Sequence, residues 1–280
     1  MEPIFIVLIA LGGAILALIT LYLFAIKTRN GNKDMEKYID FKYAHRGLHG
    51  EGAEENSLTA YERAIEKGYG IEIDIRFSRD GELVVFHDDT LKRVCGVDKR
   101  VSDLTVAELK ELKLGNTEDT IPTFSELLKI IDGRVPLLIE IKQDMGEGNV
   151  AAAAVPLLKE YKGDFLIQSF NPMAVAVFKK EMPHVVRGIL SDNYFRSKDR
   201  RKPIYFFLKN LMLNFLCRPD FVSFNHHEWK KSFTLRFVKS FYGSTLFAWT
   251  LRSEEEERAA KERGFKGMIF ENYLSESEKK

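Results

Sequence analysis

The sequence predicts an α/β fold: a (β/α)8 TIM-type barrel with a β-hairpin excursion after its second strand, preceded by one N-terminal transmembrane helix. Three observations carry that expectation. From Phe41 onward, short apolar runs alternate with amphipathic stretches of helical period, the pattern of right-handed crossovers and a parallel sheet. Nine strand candidates occur, one more than a barrel needs, and one gap between them is too short for a crossover. Several runs end in charged side chains, where barrel enzymes carry their reacting groups. An open doubly wound sheet is the competing arrangement.

The chain has 280 residues. Pro3 to Ile26 contains no charged side chain and is dominated by Ile, Leu, Ala, Val and Phe. As a helix it rises about 36 Å at roughly 1.5 Å per residue, enough for a bilayer core. A cleaved signal peptide would begin with positive charge and carry a shorter apolar core, whereas this chain begins Met1-Glu2-Pro3. Residues 1–27 are therefore expected as a single-pass membrane anchor, 28–38 as a polar linker and 39–280 as the catalytic barrel. Lys27, Arg29, Lys33 and Lys37 follow the apolar segment and no Lys or Arg precedes it. The positive-inside rule then puts the barrel on the cytoplasmic side.

Lys and Arg number 42 against 41 Asp and Glu, so no charge excess points to a nucleic-acid partner. Only Cys95 and Cys217 occur, without C-x-x-C spacing, so neither a disulfide framework nor a zinc site is indicated, and two buried free thiols are expected. No P-loop or Gly-x-Ser-x-Gly elbow is present.

In chain order the strand candidates are Phe41–His45, Gly70–Phe77, Leu83–His87, Pro136–Lys142, Phe165–Ser169, Val185–Leu190, Phe221–Phe224, Leu246–Thr250 and Met268–Phe270. Between them fall helix candidates Leu58–Lys67, Val106–Leu112, Phe124–Ile131, Val150–Tyr161, Met173–Lys180, Ile204–Leu216, Lys230–Tyr242 and Ser253–Arg263. The gap Ser78-Arg79-Asp80-Gly81-Glu82 is too short for anything but a hairpin, and Asp-Gly is a strong turn signal. Leu83–His87 thus returns antiparallel, leaving eight parallel strands. With Asp80-Gly81 as a two-residue tip, Asp74 is expected directly across from His87, with Glu72 on the same face.

Glu72 and Asp74 interrupt a run that otherwise reads Ile71, Ile73, Ile75, and Glu140 stands in the apolar run Leu138–Ile141. Carboxylates in such runs must meet a cation or a partner, because burying them alone is costly. The bland alternative for the first two is the solvated face of an edge strand. Three oxygen donors suit Mg²⁺ or Ca²⁺ better than zinc. His45 and His87 supply imidazoles able to act as acid and base near neutral pH. Arg46 and Lys142 are candidate clamps for phosphate oxygens, Arg by a bidentate fork. The set fits metal-assisted cleavage of a phosphate ester.

The ordered motifs His45-Arg46-Gly47, Glu55-Asn56-Ser57, Glu72-x-Asp74, Asp80-Gly81, Val85-x-His87-Asp88, Ile121-Pro122-Thr123, Ile139–Lys142, Gln168-Ser169-Phe170 and Trp249-Thr250 resemble the glycerophosphodiester phosphodiesterase family. The resemblance covers nearly all of the chain after the anchor. It implies a (β/α)8 barrel that hydrolyses glycerophosphodiesters to glycerol 3-phosphate and an alcohol. It implies His45 and His87 as the acid/base pair, Glu72, Asp74 and Glu140 as metal ligands, and Arg46 and Lys142 as phosphate contacts. Glu55 and Asn56 match the family's Glu-Asn pair near the site. Two departures stand out. Glu54 replaces a common proline, and Gly267–Asn272 replaces a stretch that usually ends Thr-Asp.

Trp249 is a candidate platform for a substrate headgroup or choline-like cation, with ordinary barrel packing as its alternative. His49, His184, His226 and His227 are weaker candidates. Ile204, Leu208, Leu211 and Phe215 form one stripe of an expected helix, preceded by the basic run Arg196–Lys202. Besides packing on the barrel, that segment is a candidate for lying on the bilayer. The other functional readings are a phospholipase, of lysophospholipase D or phospholipase C type, and a catalytically silent lipid-headgroup binding module.

Overall fold

Eight strands run parallel and close on themselves in the computed structural model, which describes residues 3–143, 148–196 and 202–274. They are β1 (Lys42–His45), β2 (Gly70–Phe77), β4 (Leu137–Ile141), β5 (Phe165–Ser169), β6 (Arg187–Ser191), β7 (Phe221–Asn225), β8 (Thr245–Leu251) and β9 (Gly267–Phe270), with β3 (Leu83–Val85) paired only to β2. The β1–β2 and β1–β9 pairings complete the ring, which settles the fold as a barrel rather than an open sheet. Helices between successive strands cover the outside. Side chains of Ser57, Thr123, Asn171, Ser232 and Ser253 accept backbone N–H bonds at their N-termini.

The barrel interior is packed by Tyr43, Leu138, Leu166, Val186, Phe221, Phe247 and Ile269. Three rings fit because glycines face them. A Cβ on Gly70, Gly188 or Gly267 would sit 2.7, 2.3 or 2.3 Å from the rings of Tyr43, Phe221 or Phe247. Between strands and helices, β-branched and aliphatic side chains such as Ile71, Ile73, Ile75, Ile139 and Ile167 form the larger core.

The hairpin is present but shifted by one residue. Ile75 pairs with Val85 and Phe77 with Leu83, so Asp74 lies opposite Phe86, whose N–H donates to the Asp74 carbonyl at 3.0 Å. The turn is the cause. Ser78 N–H donates to the Glu82 carbonyl, Gly81 N–H donates back to Ser78, and Gly81 has φ +82°. That is a three-residue loop with a left-handed glycine, not a two-residue tip.

One further expectation is corrected. The helix expected over Ile204–Leu216 is broken into Pro203–Lys209 and Asn214–Cys217, with Leu211 at φ 55° and buried between them. The break rotates Phe215 off the expected stripe and leaves it exposed. The Ser197–Arg201 part of the basic run lies outside the described residues. Residues 28–38, expected as a polar linker, lie against the barrel. Thr28 is buried and hydrogen-bonded to Ser244, Arg29 pairs with Asp220, and the short helix Met35–Ile39 caps the closed end with Met35 and Tyr38.

Helix Pro3–Ile26 is exposed from Ile4 to Leu21 and packs on the barrel only from Tyr22 onward. It is the one helix among the described residues long and apolar enough to cross a membrane.

Candidate active site

β1, β2 and β4 are neighbours, and register decides what meets. His45 is level with Glu72, and Asp74 with Glu140. Tyr43 and Leu138 face the interior, so the period of two brings His45 and Glu140 to the same inward face one step nearer the mouth. Glu72, Asp74 and Glu140 are all buried, with one oxygen of each within 4.8 Å of the others.

Lys142 Nζ lies 3.0 Å from Asp74 Oδ1 and 2.5 Å from Glu140 Oε1. Arg46, in a left-handed backbone conformation just past β1, donates its N–H to Glu72 Oε2 at 3.1 Å and sets Nε 3.6 Å from Asp74 Oδ2. Asn56 Nδ2 donates to Asp74 Oδ2 at 3.0 Å and is itself held by the Tyr61 hydroxyl on Oδ1 at 2.8 Å.

Three carboxylates thus face two cations. Burial, then the neighbouring acids, push Glu72 well above the ordinary carboxylate range, and burial likewise raises Glu140 against the pull of Lys142. Burial also opposes the charge on Asp74, but Lys142, His87 and Arg46 outweigh it and hold that carboxyl below its usual range. The trio is short of positive charge. That is the electrostatic condition a divalent cation relieves, and all three donors are oxygens.

Both expected histidines are backed by a carboxylate. His45 Nδ1 is 2.6 Å from Glu271 Oε2, and Arg252 Nε donates to the other Glu271 oxygen at 2.6 Å. His87 Nδ1 is 2.6 Å from Asp88 Oδ1. Each pairing fixes the ring and leaves Nε2 as the nitrogen able to exchange a proton. Burial lowers the pKa of both imidazoles, that of His87 to about 4, against the opposing effect of the nearby carboxylates. The chain leaves β3 after Val85, two residues before His87, so the shifted ladder does not itself fix the place of that ring.

Glu55 is gripped from two sides, by Arg46 Nη1 at 2.7 Å and by Arg93 at 2.6 and 2.8 Å. Arg93 Nε also donates to Asp88 at 2.7 Å, linking the His87 support to the Arg46 support. Trp249 is level with Asn225 on β7 and packs edge-on to Phe170 at 5.9 Å.

Sequence reasoning missed Glu271, Arg93 and Tyr61. Glu271 was noticed only as a departure from a family pattern, although a carboxylate directly after β9 was a signal in itself. Arg93 and Tyr61 carried none, since their roles arise from distant contacts. His226, His227 and Glu256 form another group whose donor atoms lie within 4.8 Å of one another, outside the β1–β2–β4 site. His49 Nε2 is 3.9 Å from Glu271.

Imidazoles backed by acids, buried cations and a carboxylate trio thus stand together at the mouth of a closed parallel barrel. A profile of the glycerophosphoryl diester phosphodiesterase family matches residues 45–274, and the chain belongs to that family. A glycerophosphodiester phosphodiesterase of Caldanaerobacter subterraneus is 34% identical over 158 residues, 52% of this chain and 65% of that enzyme. A putative one of Bacillus subtilis is 26% identical over 81% of this chain and 92% of its own length. Among solved structures, a phosphodiesterase of Oleispira antarctica in complex with the product sn-glycerol-3-phosphate superposes with a TM-score of 0.69. It is 25% identical, over 88% of this chain and 96% of that one.

Proposed function

We propose that this chain is a membrane-anchored, metal-dependent hydrolase that cleaves glycerophosphodiesters to glycerol 3-phosphate and an alcohol by two-histidine acid/base catalysis. The observation that carries the reading is the buried trio Glu72, Asp74 and Glu140, in excess over its cations and flanked by two carboxylate-backed imidazoles. The trio would hold a hard cation, Mg²⁺ or Ca²⁺, which when bound polarises a phosphoryl oxygen.

The chain's own residues do the rest. Arg46 and Lys142 contact the non-bridging phosphate oxygens, and Glu55, gripped by Arg93, holds the Arg46 guanidinium in place. Asn56, oriented by Tyr61, fixes the Asp74 carboxylate. His45 and His87, both neutral at pH 7 by their lowered pKa values, take opposite parts: one Nε2 removes the proton of the attacking hydroxyl. The other ring takes a proton from solvent and delivers it to the leaving alkoxide, and the first ring returns the proton it took to solvent, so that both end neutral. Trp249 forms part of the wall against which the alcohol moiety rests.

Residues 4–21, bare and apolar, support a single-pass anchor for the barrel, and the basic residues after the helix favour the cytoplasmic face. The same helix favours a second substrate reading, a diester that still carries an acyl chain. A lysophospholipase D of Rattus norvegicus is 31% identical over 47% of this chain and 45% of its own length.

The deciding assay is release of glycerol 3-phosphate from glycerophosphocholine and glycerophosphoethanolamine, with and without chelator, in wild type and His45→Ala. Chelator-sensitive release that falls about a hundredfold in the variant is expected. Full activity in His45→Ala removes that histidine from the mechanism.

A further inference from the structure

We infer that the mouth of the barrel faces the bilayer, so that the active site opens onto the lipid surface that holds the helix. The inference rests on the anchor reading above and adds a direction to it.

The direction follows from the order of contacts along the last turns of helix Pro3–Ile26. Tyr22 hydrogen-bonds Thr234 at 2.8 Å, in the first turn of the helix Phe233–Tyr242 that descends from the mouth end of β7. Ile26 O accepts from Asn214 Nδ2 at 3.1 Å, further down the flank. Arg218 Nη1 donates to both Phe24 O at 2.7 Å and Lys27 O at 3.0 Å, and the long Tyr242 side chain reaches up to Leu23 O at 2.8 Å, so the direction rests on the two ends of the series, Tyr22 and Arg29. Arg29 then reaches the closed end, donating to the carbonyls of Pro219 and Pro183 and to Asp220, just ahead of β7 and β6. The chain therefore runs from mouth to closed end as residue number rises. Followed backward, the helix leaves the barrel past the mouth. Residues 4–21 project beyond it for about 27 Å, close to the thickness of a hydrocarbon core of about 30 Å.

A second observation agrees. Exposed apolar side chains gather on the mouth side of the same flank, where a soluble rim would be polar: Phe195 after β6, Phe206 and Phe207 in the next helix, and Phe233 after β7. Phe233 is 67% exposed and Phe206 51%, so neither is core. Aromatic side chains at this level sit in the interfacial zone of a bilayer entered by the neighbouring helix. Phe241 is also exposed but lies at the other end of its helix, stacked on Phe237. A mouth held this way receives a diester whose acyl chain stays in the membrane without full extraction of the lipid.

The test uses the full chain in a Cys95→Ser background, reconstituted in phosphatidylcholine vesicles with brominated acyl chains. A fluorophore is attached through Phe207→Cys at the mouth or through Lys162→Cys at the closed end. Several-fold stronger quenching at 207 than at 162 is expected. Equal quenching, or stronger quenching at 162, in protein that sediments with the vesicles overturns the orientation and leaves the anchor standing. Protein that fails to sediment with the vesicles overturns both. Replacing Phe206, Phe207 and Phe233 together by Ser is expected to slow hydrolysis of a vesicle-borne lysophosphatidylcholine several-fold while leaving soluble glycerophosphocholine turnover unchanged. Equal rates on both substrates before and after replacement would deny the rim any part in lipid access.

Discussion

The barrel buries acidic side chains at both ends, and it treats them in opposite ways. At the closed end a single carboxylate, Asp220, meets Arg29 through two bonds of 2.6 and 2.7 Å, the Arg187 N–H at 3.0 Å and Asn32 at 3.3 Å. One guanidinium, that of Arg29, and one backbone N–H serve one acid there, while the Arg187 guanidinium donates to the carbonyls of Cys217 and Pro183. At the mouth acids outnumber cations: Glu72, Asp74 and Glu140 share Lys142 and Arg46. The closed end is electrostatically complete as folded protein. The mouth is left short of positive charge, the condition that the proposed divalent cation would relieve.

The comparison breaks first at the closed end if it is wrong. Asp220→Ala strands the Arg29 guanidinium and the Arg187 backbone N–H and cuts the bonds that seat Arg29 and Asn32 under the barrel. Removing one partner of a buried pair typically costs about 3–5 kcal/mol. Urea denaturation of the variant should show a loss of that order, while turnover per folded molecule stays at the wild-type level. A drop in turnover larger than the drop in folded fraction would tie the closed end to chemistry.

Glu72→Gln probes the mouth with the opposite signature. It removes the carboxyl whose charge burial and the neighbouring acids disfavour, so the melting temperature should hold or rise. It also removes a proposed metal ligand, so activity should fall about a thousandfold, on the order of 4 kcal/mol of barrier. Parallel melting and activity measurements check the pair of effects. Lower stability together with wild-type activity would reverse the assignment of the two ends.

The sequence made the strands of this mouth easy to see and some of their partners impossible to see. Gly70–Phe77 and Phe165–Ser169 are found where expected because β-branched runs bounded by polar residues have a local signature. The trio is legible for the same reason: acids inside isoleucine runs are conspicuous. The hairpin register was not, because Asp-Gly serves both a two-residue and a three-residue loop, and only the Ser78–Glu82 closure distinguishes them. The break at Leu211 was hidden by an unbroken apolar pattern. The docked path of residues 28–38 depends on Asp220 and Ser244, which lie far away in sequence, and no period or motif in the segment announces them.

Glu271 is the sharpest case of a partner that sequence hides, and it offers the smallest and most discriminating test. Its carboxylate receives His45 on one oxygen and Arg252 on the other. Burial opposes its charge, but the bond to His45, the charge on that ring and Arg252 bring its pKa down to about 2. Glu271→Gln keeps the size and an acceptor while removing the charge that orients and steadies the ring as it takes a proton. Activity should fall about tenfold, near 1.4 kcal/mol, with little change in substrate affinity. The pH dependence of stability gives an independent check. A carboxyl whose pKa is depressed on folding stabilises above its unfolded value, near 4.5, and that contribution disappears as pH falls through about 2. The melting-temperature gap between wild type and Glu271→Gln should therefore be widest at neutral pH and close between about pH 4.5 and 2. A gap that stays constant across that range would mean that Glu271 supports His45 by packing alone, and the carboxylate backing of this imidazole would lose its electrostatic role.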